Sequence, residues 1–128
     1  MKQIEFNALE LARELNKHPL VDKVYHPAIE TSENHHIWKR DFTGSTGLFS
    51  FSLKKFYSQS KIKKMFSRIS IFKLGYSWGG YDSLITFPPL SMRKYKNLFK
   101  GNLIRVYCGL EDSSDQIKDI ISSLKALK

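Results

Sequence analysis

Cysteine is almost absent. One residue, Cys108, stands alone in 128. That excludes an intrachain disulfide and a cysteine-built zinc cluster, and it fits a reducing compartment. Long apolar runs are absent too. Nothing approaches the roughly 18 residues needed to span a bilayer. The N-terminus, MKQIEFNALELARELNK, mixes charges and holds no signal-peptide core. The expectation is a cytoplasmic protein with no membrane association. Acids are scarce: 12 Asp and Glu against 21 Lys and Arg, a net charge of +9. Such an excess admits nucleic acid as a partner. The cations are mostly Lys and scattered, with local excesses over 54–68 and 93–100. Scattered Lys carries no readout geometry, so a solvated basic surface explains the charge equally well.

What is present is ordinary for one globular domain: 41% hydrophobic and 26% charged residues. A chain of this length buries roughly two-thirds of its unfolded surface. Residues 4–17 predict an amphipathic helix, with Ile4, Ala8, Leu11, Ala12 and Leu15 on one face. His18-Pro19 ends it, since the residue before Pro disfavours helix. Residues 21–26 alternate as a short strand. Residues 28–42 are polar, aromatic and irregular, and predict a surface loop. Gly44-Ser45-Thr46-Gly47 is a turn signal, and LFSFSL at 48–53 alternates strictly. A second helix is expected over 58–69, striped by Ile62, Met65, Phe66 and Ile69 and capped by Ser58 or Ser60. Short strands follow at 71–74 and 81–87, then a basic loop at 90–102, then a strand at 103–108. The last helix is capped by Asp112 or Ser113, and its stripe is Ile117, Ile120, Ile121, Leu124 and Leu127. Several joins are too short for parallel crossovers. The fold class is α+β: a mostly antiparallel sheet with helices packed on one face.

Chemistry-bearing patterns are few. His18, His26, His35 and His36 have no helical i, i+4 partner, and no carboxylate completes a ligand set. They read as loop histidines. Cys108 ends an apolar strand with no histidine nearby, so a structural thiol is expected. The GSTG turn precedes a strand and lacks a phosphate-loop ending. No GxSxG elbow occurs.

Arg105 is different. It sits inside LIRVYCG, which otherwise reads as core strand. Alternation puts Leu103, Arg105 and Tyr107 on one face and Ile104, Val106 and Cys108 on the other. A guanidinium stays charged and its fork matches a carboxylate. It is either an anchor for a substrate carboxylate, a structural partner of Glu111, Asp112 or another acid, or an edge-strand Arg pointing to water. Ser77-Trp78-Gly79-Gly80 is equally open. Trp78 is either a core residue in a turn or a flat pocket wall, with Ser77 beside it and glycines that let backbone approach a ligand.

Three stretches share one family. HHIWKRDFTGSTGLFSFSL (35–53), LGYSWGGYDSLI (74–85) and LIRVYCGLEDSSDQIKDI (103–120) resemble the C-terminal part of pyridoxal-phosphate enzymes of cysteine and methionine metabolism. The opening helix and KVYHPAIE (23–30) fit the same order. The Trp in YSWGG and the segment IWKRDFTGSTGLFSF are similar to the bacterial cystathionine β-lyase branch. The stretch 86–102 is a less faithful match. The resemblance implies the C-terminal small domain of a fold-type I enzyme: one domain over 1–128, with 1–19 as the remainder of an interdomain helix. It implies that Arg105 grips the substrate α-carboxylate, with Ser77 and Trp78 at the same site. It also implies a cofactor, pyridoxal 5'-phosphate, used by the parent family to cleave cystathionine by α,β-elimination into homocysteine, pyruvate and ammonia.

The family's Schiff-base lysine lies in an SxTK-like segment, and none occurs here. No Gly-rich turn opens a helix to take the phosphate. The expectation is therefore a fragment of a cystathionine β-lyase-like enzyme, inactive alone and holding no cofactor by itself. Its partners would be a separately encoded N-terminal half or another copy of itself. The rival reading is a small basic nucleic-acid-binding protein using the helix at 58–69 and the loop at 93–100, without any recognised nucleic-acid motif.

Overall fold

The computed structural model describes residues 1–89 and 96–128. Helix α1 spans Lys2–Lys17 and buries Ile4, Asn7, Ala8, Leu11, Ala12 and Leu15. These are the expected apolar positions plus one polar residue, Asn7. His18 leaves the helix in an extended conformation, as the following proline demands. The order continues with β1 (Val21–Tyr25), α2 (His35–Asp41), β2 (Leu48–Leu53), α3 (Gln59–Phe66), β3 (Lys73–Leu74), β4 (Leu84–Thr86), β5 (Leu103–Tyr107) and α4 (Ser113–Leu124). Single 3-10 turns occupy Lys96–Leu98 and Lys125–Leu127.

The five strands lie in the order β1-β2-β5-β4-β3. Three joins are antiparallel and the β3–β4 edge is parallel. The fold is α+β, as expected. Alternation places Phe49, Phe51 and Leu53 of β2 with Ile104, Val106 and Cys108 in one core. The helices close it with Ala8, Leu11 and Leu15 from α1, Ile62 and Met65 from α3, and Ile120 and Leu124 from α4. In the register, Ser50 stands opposite Arg105 and Leu48 opposite Tyr107, on the other face of the sheet.

The structure corrects the sequence in three places and decides between the alternative helix caps. The loop expected over 28–42 contains α2. That helix buries none of its own residues, so it has no apolar period to read. The strands expected at 71–74 and 81–87 shrink to two and three residues. Their flanks give their amides to carboxylates instead, as described below. Asp112 caps α4 and Ser58 caps α3, so Ser113 and Ser60 do not. The buried face of α4 is Gln116, Asp119, Ile120, Ser123 and Leu124, while Ile117 and Ile121 are half-buried. The basic loop expected at 90–102 falls partly outside the described residues, with Arg93 among those at 90–95.

Candidate functional site

Strand β5 presents Arg105 and Tyr107 on one face, as alternation requires. Both reach the loop between β3 and β4, and both hold its backbone. The Arg105 guanidinium donates from Nη2 to the carbonyl of Tyr76 and, at 3.4 Å, to that of Ser77. The Tyr107 hydroxyl donates to the Gly80 carbonyl at 2.8 Å. Between these anchors the chain turns through Gly79 at φ +91°, a conformation that costs other residues a steric penalty.

The ends of the loop are also fixed. Lys73 N–H donates to Ser83 at 2.9 Å and Leu110 N–H to Tyr81 at 2.8 Å. Gly109 makes this closeness feasible: a Cβ there would stand 2.7 Å from the backbone carbons of Tyr81 and Asp82. Glu111 accepts from the Ser83 amide at 2.8 Å and its hydroxyl at 2.6 Å. Ser83 in turn accepts from Gly109 N–H at 2.8 Å and Gln116 at 3.1 Å. Asn7 of α1 joins this cluster by donating to the carbonyls of Gly109 and Glu111 at 2.9 and 2.8 Å. Partial burial pushes the Glu111 carboxyl upward. The Ser83 hydroxyl and amide, with its own backbone and Gln116, outweigh that and hold it below the ordinary carboxylate range.

Asp119 of α4 fixes the approach to β3. Its two oxygens accept from the Ser70 amide and hydroxyl and the Ile71 and Phe72 amides, at 2.8 to 3.1 Å. The first of the two shortened strands therefore pairs less because a side chain replaces the ladder partner.

The loop is thus anchored by backbone and open by side chain. Tyr76, Trp78 and Tyr81 are 69%, 63% and 72% exposed. Of the sequence-derived candidates, the fold brings Arg105 to the Ser77 carbonyl and leaves the side chains of Ser77 and Trp78 exposed. The acids that sequence offered to Arg105 are engaged elsewhere. Glu111 serves Ser83, and Asp112 caps α4 by accepting from Ser114 and Asp115 amides at 2.8 and 3.3 Å. Nε and Nη1 of Arg105 have no hydrogen-bond partner among the described residues. The guanidinium therefore keeps donors for an incoming carboxylate.

Tyr107 was available to sequence reasoning, since it shares the Arg105 face by the same i, i+2 rule. Asn7, Ser83, Glu111, Gln116 and Asp119 gave no such signal. Cys108 is buried, and burial followed by the Glu111 charge pushes its thiol far up, leaving it unreactive. Among the described residues no group of His, Cys, Asp and Glu could hold a metal ion.

The described residues do not fit pyridoxal phosphate. A lysine that forms an imine needs a desolvated amine. The described lysine side chains are exposed, save Lys23, which is half-buried and donates to Glu33 at 2.5 Å. The N-terminus of α4 already holds the Asp112 carboxylate, which repels a phosphate.

The chain is 42% identical over 125 residues to the cystathionine beta-lyase MetC of Escherichia coli, covering 94% of this chain and 32% of that protein. It is 38% identical over 132 residues to the L-alanine/L-glutamate racemase of Wolbachia pipientis, covering 99% of this chain and 32% of the relative. A cystathionine gamma-lyase of Sus scrofa matches at 34% over 128 residues, 94% of this chain and 31% of the relative. The chain therefore spans about a third of the length of these curated relatives. Residues 1–125 match the family described as Cys/Met metabolism PLP-dependent enzyme, and the chain belongs to that family.

Proposed function

We propose that this chain is the carboxylate-recognising part of a cystathionine β-lyase-like carbon–sulfur lyase. The observation that carries this reading is Arg105 on β5, held by the carbonyls of Tyr76 and Ser77 with Nε and Nη1 unpartnered among the described residues. Its partner in the reading is the α-carboxylate of an amino-acid substrate, cystathionine. Ser77 and Trp78 flank that carboxylate. Gripping it fixes the reacting carbon, which is catalysis by positioning. The parent chemistry, α,β-elimination to homocysteine, pyruvate and ammonia, needs pyridoxal phosphate. This chain does not perform it alone, because the described residues offer neither an imine-forming lysine nor a phosphate cradle.

The open aromatic surface of the loop supports a second part of the reading. Tyr76, Trp78 and Tyr81 of this loop are all exposed. Exposed apolar side chains gathered on one loop mark a contact surface. The partner is the cofactor-binding part of the enzyme, encoded separately or elsewhere in the same polypeptide. A second copy of this chain is the competing occupant.

The test is reconstitution. The chain is mixed with the cofactor-binding two-thirds of the Escherichia coli relative and pyridoxal phosphate, and pyruvate release from cystathionine is followed. Release is expected from the mixture and from neither part. Arg105→Lys is expected to raise KM about tenfold or more, because a lysine cannot reproduce the fork. A stable complex without pyruvate release would refute the reading, as would release by the chain alone.

One observation favours nucleic acid. Between residues 42 and 110 there are twelve Lys and Arg and a single acid, Asp82. The α3 lysines Lys61, Lys63 and Lys64 are exposed in this stretch. Binding to a DNA duplex with a steep salt dependence would support that reading. No salt-sensitive binding at low ionic strength would end it.

A further inference from the structure

The stretch that carries Trp78 is held at a single point. Gly79 and Gly80 bring no side chains, and a Cβ built at either would meet nothing within 4 Å. Trp78 itself is exposed. Packing therefore does not fix residues 78–80. Among the described residues, their hydrogen bonds reduce to one, the Tyr107 hydroxyl donating to the Gly80 carbonyl at 2.8 Å. Arg105 reaches only the carbonyls before Trp78, those of Tyr76 and Ser77. Beyond Gly80 the next anchor is the Tyr81 carbonyl, taken by the Leu110 amide at 2.8 Å. Without the Tyr107 hydroxyl, the chain from Trp78 to Gly80 would be tied only at its two ends.

Tyr107 is suited to hold it. The residue is 3% exposed, and its strand is flanked on both sides, with Leu48 of β2 and Leu84 of β4 opposite it. Gly47 leaves room for the ring: a Cβ there would stand 3.0 Å from Cε2 of Tyr107. The ring is rigid, so a fixed ring fixes its oxygen. Burial pushes the phenol above its ordinary range. The Gly79 backbone opposes this, and Cys108 and Glu111 reinforce it. The hydroxyl therefore keeps its proton and remains a donor.

We propose that Tyr107 is a positioning residue for substrate recognition, acting through the Gly80 carbonyl to set Trp78 as a flat wall next to the Arg105 anchor, where the α-carboxylate of an amino-acid substrate is received. This rests on the carboxylate-recognising reading above. A wall misplaced by about 1 Å lets the substrate settle in unproductive poses.

The test compares the full chain with Tyr107→Phe, which keeps the ring and removes only the hydroxyl. In the nitrogen-15-labelled chain, the indole N–H signal of Trp78 should move and the amides of Gly79 and Gly80 should exchange faster. The Trp38 indole and the amides of β2 and β5 should stay as they were. Replacing Tyr107 by 4-aminophenylalanine, which returns a donor at the same ring position, should restore the original signals. In the reconstituted mixture, Tyr107→Phe should raise KM about threefold or more, the worth of one hydrogen bond. Its kcat should stay within about twofold. The 4-aminophenylalanine chain should recover the KM. An unmoved Trp78 signal would overturn the proposal, as would β2 and β5 loosening together with the loop, or failure of the rescue. A mixture that releases pyruvate with the same KM for both chains would overturn it and leave the carboxylate reading standing. A mixture of the unaltered chain that releases none would refute that reading, and the Trp78 signals would still decide whether Tyr107 sets the wall.

Discussion

The two sides of the sheet are built by different means. On the side of β1, β2 and β5, apolar alternation does the holding: Phe51, Ile104 and Val106 are fully buried against α1 and α4. On the side of β4 and β3, the strands have three and two residues, and carboxylates from a distance do the holding. Each chemistry suits its task. An apolar core cannot fix a loop at an open edge, because the loop must keep its side chains free. Hydrogen bonds to the loop's backbone fix it and leave Tyr76, Trp78 and Tyr81 outward.

The comparison can be broken most violently on the apolar side. Phe51→Ala empties a fully buried site and should cost about 3–5 kcal/mol, read as a fall in the urea midpoint. All parts should then unfold together. On the polar side, Asp119→Ala strips three amides and a hydroxyl of their acceptor. The expected cost is about 1–3 kcal/mol. Here hydrogen exchange should accelerate at residues 70–74 well before β2 and β5. Uniform acceleration would show that the two sides are one cooperative unit.

Acid sharpens the contrast further. Glu111 is held below the ordinary carboxylate range in the folded chain. The unfolded chain then binds its proton more readily, so the stabilisation is complete above the ordinary range and is lost as pH falls through the folded value. Glu111→Gln should flatten part of the acid limb of a stability–pH curve. Unchanged acid dependence in that variant would remove Glu111 from the account. The smallest effect concerns Arg105→Ala. Its half-exposed guanidinium donates to two carbonyls that water can satisfy, so global stability should change by less than about 1 kcal/mol. The loop amides at 76–80 should nevertheless exchange faster, and the Trp78 emission should shift.

The legible half of the fold is the half that alternates. β1, β2, β5, α1 and α4 follow from apolar spacing, because burying those side chains is what forms them. The polar half was not legible. Asp119 and Glu111 look like surface acids in sequence, and only the tertiary fold brings the amides of 70–72 and 83 to them. α2 escaped for another reason: with none of its own residues buried, it leaves no stripe. At the candidate site, Arg105 stood out because a charge interrupts an apolar run. Tyr107 did not, because a tyrosine in a strand looks like packing.

Arg105 and Tyr107 are two residues apart on one straight strand. A strand advances about 3.3 Å per residue, so their bases are about 6.6 Å apart. The carbonyls of Ser77 and Gly80 are caught by this pair. The strand acts as a ruler, and the turn between Ser77 and Gly80 is cut to its length. An inserted residue there would keep one anchor and forfeit the other. The length of this turn, as much as its letters, sets where Trp78 stands.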